Sequence, residues 1–182
     1  MNRRIFWLAT TSLILLSTLT PFVSAATDSA TQTSSAVEGV IRGRVQKVGF
    51  RALIFRQAIR YNLGGLIENF PDGSVHFALQ GSPELLKEAL TMIRKGTAKA
   101  QVNDVEIKPA PVQNGVVSAV VKGWTSSTRD FQHPVDLVYP LRVENQPVSE
   151  EEAHRIYKQI IRSAMASRGT QTNTTGKGIR RS

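Results

Sequence analysis

The chain contains no cysteine, which excludes disulfides, thiolate nucleophiles, Cys-based metal sites and lipid attachment through a thioether. Histidine is almost as scarce. His76, His133 and His154 are scattered, with neither the paired spacing nor the neighbouring carboxylates that a metal site needs, and they read as ordinary surface or strand residues. There is no Gly-x-Ser-x-Gly nucleophile elbow and no P-loop signature. Aromatics are 7% of the residues, and the predicted strands lack the ranks of stacking rings that an RNA-reading sheet presents. A long hydrophobic run is missing too. The apolar stretch from Ile5 to Leu19 covers about fifteen residues, whereas a spanning helix needs roughly 20.

The positive charge that is present sits mostly at the ends. Of the formal +9, Arg3 and Arg4 belong to a leader, and Arg168, Lys177, Arg180 and Arg181 to the last fifteen residues; the stretch between carries +3. The folded part is therefore mildly basic and no nucleic-acid partner is expected. A nucleic-acid role would rest on the tail alone, and would show salt-sensitive binding that vanishes without residues 166–182. Residues 1–25 read as a secretory signal peptide: Arg3 and Arg4 form the positive end, the apolar stretch follows, and Val23 and Ala25 fit the cleavage-site pockets. Cleavage is expected after Ala25 or Ala26, leaving no stable membrane insertion and an exported protein, periplasmic in a bacterial cell. The apolar content of 41% and charged content of 20% are those of a soluble globular protein.

Residues 26–36, rich in Thr, Ser and Ala, read as a linker. Val37 to Val45 then alternates: Val37, Gly39, Ile41, Gly43 and Val45 share one face, and Glu38, Arg42 and Arg44 the other, as in a half-buried strand. Phe50 to Leu63 has helical spacing through Phe55, Ile59 and Leu63, and Gly64-Gly65 is expected to stop it. Leu66 to Phe70 and Ser74 to Gln80 form two strands around a Pro71-Asp72-Gly73 turn, with Val75, Phe77 and Leu79 facing inward. Ser82 caps a second helix with Pro83 at its first position; Leu86, Leu90 and Ile93 give it an apolar stripe and Gly96 closes it. Val102 to Ile107 and Val116 to Val121 are further strands. The order β-α-β-β-α-β plus one strand predicts an α+β, ferredoxin-like sandwich over residues 37–122, with two helices on one face of an antiparallel sheet. Residues 123–165 form a C-terminal extension. A capping box at Ser149 and Glu152 opens its helix, at about 150–165, whose apolar stripe (Ala153, Ile156, Tyr157, Ile160, Ala164) packs on the domain or on a partner protein. Residues 166–182 read as a basic flexible tail.

The segment from Gly43 to Arg51 joins the first strand to the first helix. Backbone N–H groups at a helix N-terminus lack intrahelical acceptors, and the helix dipole adds partial positive charge there. A tight loop at that point can wrap a phosphate in amide donors. Arg51 falls in the helix's first turn, where a cation is electrostatically disfavoured, but its planar fork suits two phosphate oxygens. An anion held between the loop and Arg51 would convert a misplaced charge into a paired one. Asn69, just ahead of the turn, carries a carboxamide that both donates and accepts. It either orients a water or satisfies the hairpin backbone.

The pattern Gly43-Arg44-Val45-Gln46-x-Val48-Gly49-Phe50-Arg51, then a helix, then Gly65-x-x-x-Asn69-x-x-Asp72-Gly73-x-Val75, closely resembles the acylphosphatase family. The match continues through Gln80-Gly81, the second helix and the strand near Val105, over about half of the chain. The resemblance implies a ferredoxin-like sandwich that hydrolyses acyl phosphates. Arg51 would bind the phosphoryl group, Asn69 would orient the attacking water, and the amides of Gln46, Lys47, Val48, Gly49, Phe50 and Arg51 would complete the cradle. It implies no metal or organic cofactor, and a small acyl phosphate or phosphate as ligand. Two positions depart from the family pattern. Lys47 stands where the family loop usually has glycine, so that a positive φ there would cost on the order of 1 kcal/mol or more. Leu66-Ile67 stands where the family often has tryptophan, a change of packing. A rival reading keeps the fold but not the catalysis: an exported anion-binding or protein-interaction module whose loop Lys47 has spoiled.

Overall fold

The alternating segment becomes strand β1 (Ser35–Arg44), with Ile41 buried and Arg42 and Arg44 in solvent. Helix α1 (Phe50–Tyr61), β2 (Gly64–Asn69), β3 (Val75–Gly81), α2 (Pro83–Lys95), β4 (Gln101–Ala110) and β5 (Ser118–Trp124) follow in the expected order; β6 (Val135–Pro140) and α3 (Glu150–Thr174) come after them. The computed structural model describes residues 34–125 and 133–174, with side chains up to 167. The expected signal peptide, most of the linker and the end of the basic tail lie outside the described residues. Ser35 and Ala36, expected in the linker, already pair with Gly81 and Gln80 of β3.

The sheet runs β4-β1-β3-β2-β5-β6. Its first four strands are antiparallel neighbours and form the ferredoxin-like core. β5 lies parallel to β2, so the sheet is mixed rather than wholly antiparallel. The cause is topological. β4 finishes at the end of the sheet where β2 begins, and a strand that starts there and takes the free edge beside β2 must run in the direction of β2.

β6, which pairs antiparallel with β5, adds a strand that the sequence pattern did not reveal. Its Leu137 and Tyr139 are buried while Asp136, Val138 and Pro140 are exposed. Pro134 and Pro140 mask it as a loop, yet both are tolerated at the ends of an edge strand.

Ile41, Ile67, Val75, Phe77, Leu79, Ala119, Val121 and Leu137 project from one face of this sheet into a single core with Phe55 and Ile59 of α1, and with Leu86 and Ile93 of α2. Each of the larger side chains among them, fully buried, contributes roughly 1.5–3 kcal/mol. The stripe of α3 (Ile156, Tyr157, Ile160, Ala164) packs on the same core, so the domain itself covers it. α3 continues beyond the expected end into the segment read as a tail, as far as Thr174. Residues 166–174 hold no proline to break it, and Ser167 bonds back to the Ser163 carbonyl at 3.0 Å.

The stop of α1 also differs from expectation. Asn62, not the glycine pair, takes the left-handed conformation (φ 53°) and ends the helix. Gly64 and Gly65 instead lie inside β2, where a Cβ on Gly65 would come within 1.9 Å of the Ala78 carbonyl oxygen. The caps of the other helices form in part. The Ser82 hydroxyl turns to the Glu84 carboxylate at 2.7 Å, and Ser149 accepts the Glu152 N–H at 3.1 Å.

Candidate functional site: the loop before the first helix and its neighbours

β1 bulges against β4 between Arg42 and Gly43. A side chain at Gly43 would meet the Gln101 carbonyl oxygen at 2.2 Å, so glycine is what lets the strand turn there into the loop. Val45 is buried and the backbone turns through Gln46 to Gly49. Lys47 adopts φ 61°, the left-handed value that the family resemblance raised for this position. Gly49 (φ 82°) caps α1 without a side-chain acceptor, and the first turn of the helix holds no acid. The loop is braced from two sides. Gln46 Nε2 donates to the carbonyls of Phe70 (2.7 Å) and Ser74 (2.8 Å) in the β2–β3 turn. Thr97 Oγ1, beyond α2, donates to the Val48 carbonyl at 3.2 Å. Phe50, 1% exposed, anchors the start of the helix.

Arg51 is half-buried, and desolvation pulls its pKa below the ordinary guanidinium value; a guanidinium remains charged nonetheless. Its Nη1 donates to the carbonyls of Lys122 (2.5 Å) and Gly123 (3.2 Å) at the end of β5. Its Cζ lies 5.6 Å from the centre of the Trp124 ring, within cation–π range. Nε and Nη2 donate to no described residue, so one edge of the fork is tied down and donors remain for a ligand.

Asn69 ends β2 opposite Val75 and shares the helix-covered face with Ile67. Its Oδ1 is buried and finds no hydrogen-bond partner among the described residues. Such an orphan costs about 1–3 kcal/mol and calls for an explanation. The hairpin N–H groups of Phe70, Gly73 and Ser74 bond elsewhere. Asp72 Oδ1 accepts the Ser74 N–H at 2.9 Å and the Ser74 hydroxyl, which holds the Asp72 carboxyl below the usual carboxylate range. Phe70 N–H donates to the Ser74 carbonyl at 3.0 Å and Gly73 N–H to the Phe70 carbonyl at 3.1 Å. Neither of those hairpin donors bonds the Asn69 oxygen.

Topology brings these parts to one end of the sheet. β1, β2 and β5 all finish there and β3 begins there. In the parallel pair Ile67 faces Val121, and two residues further on come Asn69 and Gly123, the latter a carbonyl that holds Arg51. The uncapped start of α1, a cation and an unsatisfied carboxamide oxygen thus share that end. Together they can hold a tetrahedral anion by amide donors and a guanidinium fork, and place a water against it. Among the described residues no group of His, Asp or Glu side chains is arranged to hold a metal ion. The carbonyls of Lys122 and Gly123 and the ring of Trp124 were not legible as parts of the site. The carbonyls carry no sequence signal, and Trp124 reads as a packing residue.

Residues 37–118 match the acylphosphatase family model. Over 72 residues the chain is 40% identical to an acylphosphatase of Methanocella arvoryzae, a span of 40% of this chain and 82% of the relative. It is 47% identical over 70 residues to an acylphosphatase of Nitrobacter winogradskyi, 38% of this chain and 71% of that one. A crystal structure of acylphosphatase from Bacillus subtilis aligns with 45% of this chain and 91% of its own, at 26% identity and a TM-score of 0.43.

Proposed function

Because the chain belongs to the acylphosphatase family and hydrolyses acyl phosphates to a carboxylate and phosphate, we propose that Arg51 and the amides of Gln46 to Arg51 hold the phosphoryl group and that Asn69 orients the attacking water. The observation that carries this reading is the buried, unpartnered Oδ1 of Asn69, at the same end of the sheet as an uncapped helix whose first turn bears Arg51. A water that donates to Oδ1 would satisfy it and direct a lone pair at phosphorus.

The chemistry suits so sparse a site. As the O–P bond from water forms, the P–O bond to the acyl group breaks and its electron pair leaves on the carboxylate. The water's proton passes to the released phosphate. A carboxylate is a good leaving group, so no strong general acid is required, and positioning and charge stabilisation carry the step. Amides at the start of α1 and the free edge of the Arg51 fork would neutralise the phosphoryl oxygens as charge spreads over them. Lys47, exposed in the middle of the loop, holds the backbone turn at some cost in strain rather than abolishing it.

We further read the first 25 residues as a leader, removed after Ala25 or Ala26, that exports the enzyme. Intact-mass measurement of secreted or periplasmic protein would show the new N-terminus; a chain that keeps Met1 in the cytoplasm would refute the reading. The catalytic roles are tested by phosphate release from benzoyl phosphate and acetyl phosphate in EDTA, with Arg51→Ala and Asn69→Ala alongside. Turnover lost in both folded variants supports the assignment. Turnover retained in either removes that residue from the mechanism.

A further inference from the structure

We propose that β6 and α3, which lie beyond the family-matched segment, clamp the end of β5 and thereby position Arg51 for its phosphoryl ligand. The inference rests on the reading of Arg51 as the phosphoryl-binding side chain. The hydrogen-bond acceptors and the ring that meet the guanidinium among the described residues belong to Lys122, Gly123 and Trp124, all past residue 118, where the family match ends. Two independent devices hold those three residues in place.

The first belongs to β6. The Asp136 carboxylate takes the Lys122 ammonium at 2.6 Å on Oδ2 and the Gly123 N–H at 3.0 Å on Oδ1. It therefore spans the two residues whose carbonyls receive Arg51, at a place where the regular β5–β6 register lapses between Val121 and Trp124. Without ladder bonds there, the carboxylate substitutes for them and fixes the direction of both carbonyls.

The second belongs to α3. The Trp124 ring is 4% exposed and meets the Tyr157 ring edge-on, with centroids 6.3 Å apart at 84°. Tyr157 in turn meets Phe55 of α1 at 6.4 Å and 71°. Tyr157 thus wedges between the end of β5 and the helix that carries Arg51, and holds the indole face against the guanidinium. An arginine has many rotamers to lose on binding, and a ring and two fixed carbonyls reduce that loss before the ligand arrives. Asp136, Trp124 and Tyr157 are positioning residues. They touch Arg51 or its supports and have no assigned contact with the substrate.

The test uses the full chain carrying Asp136→Ala, Trp124→Leu or Tyr157→Leu, each alone and combined with Arg51→Ala, with Trp124→Phe as the conservative control. Inorganic phosphate affinity is read by NMR titration, and kcat and KM with benzoyl phosphate. The Asp136 side chain is 41% exposed on an edge strand, so its variant perturbs the core least of the three. The expected result is phosphate binding weakened on the order of five-fold in each Arg51-containing variant, recovery in Trp124→Phe, and no further loss where Arg51 is already alanine, as residues acting through one partner require. Unchanged phosphate affinity in folded Asp136→Ala and Tyr157→Leu would overturn the clamp, as would an equal loss in the Arg51→Ala background. Full phosphate affinity in Arg51→Ala itself would instead overturn the reading of Arg51, and the clamp with it.

Discussion

The two ends of helix α1 are built on opposite plans. At its C-terminus the capping residue is bonded through both ends of its carboxamide. Asn62 takes the left-handed turn, its Nδ2 donates to the Arg142 carbonyl at 3.0 Å, and its Oδ1 accepts the Tyr139 hydroxyl (3.1 Å) and the Arg142 N–H (2.9 Å). The Leu63 N–H returns to the Ala58 carbonyl at 2.9 Å. Arg60 in the last turn suits the negative end of the dipole. At the N-terminus Gly49 offers no cap, no acid lies in the first turn, and Arg51 is a cation at the positive end. One end of the helix holds the fold together. The other is left electrostatically unfinished, which is the condition for binding an anion.

The largest effect should follow from Arg51→Ala. Steady-state kinetics with benzoyl phosphate should show kcat/KM lower by about 10²- to 10³-fold, with a smaller effect on the melting temperature, because relief of an unfavourable first-turn cation offsets part of the loss of its bonds to the Lys122 and Gly123 carbonyls. Asn62→Ala should do the reverse. With a left-handed residue replaced and a buried hydroxyl and an N–H left unpaired, denaturant unfolding should report about 2–4 kcal/mol lost. The kcat/KM of the folded protein should hold. Gln46→Ala should fall between the two. It frees the loop from the hairpin that carries Asn69, and about 1–2 kcal/mol of hydrogen bonding goes with it; a several-fold fall in kcat is expected, measurable in the same assay.

Acid should act at the hairpin. Asp72 is held below the usual carboxylate range by the Ser74 hydroxyl and then the Ser74 N–H. Its contribution to stability is therefore present above the unfolded carboxylate pKa and lost as pH falls through the lower folded value. Denaturant midpoints followed from neutral pH into acid should fall less steeply for Asp72→Ala than for the parent. The smallest effect is expected from Lys47→Gly. Relief of a left-handed non-glycine residue should raise stability by up to about 1 kcal/mol, with activity equal to or above that of the parent.

Legibility in the sequence followed the range of the contacts. The loop from Gly43 to Arg51, the Pro71-Asp72-Gly73 turn and the order of the first five strands and two helices were readable, since each rests on local spacing. The stop of α1 was misplaced onto Gly64-Gly65 because Asn62 owes its conformation to Tyr139 and Arg142, far along the chain. β6 was hidden by its flanking prolines and by a pairing that only β5 defines. Of the site, Arg51 and Asn69 were named from motif positions. What holds Arg51 was beyond reach, because two backbone carbonyls have no residue identity to read and Trp124 becomes relevant only when β5 ends beside α1.

The most direct test of the contrast between the two helix ends is an amide-resolved NMR titration of the full chain with inorganic phosphate. The expected result is saturable shifts confined to the backbone amides of Gln46 to Arg51 and the Asn69 side-chain amide, abolished by Arg51→Ala, with Asn62 and Leu63 unmoved. Loop amides that stay still at saturating phosphate, or shifts that persist undiminished in Arg51→Ala, would contradict the assignment of the open end of α1 as the phosphoryl site.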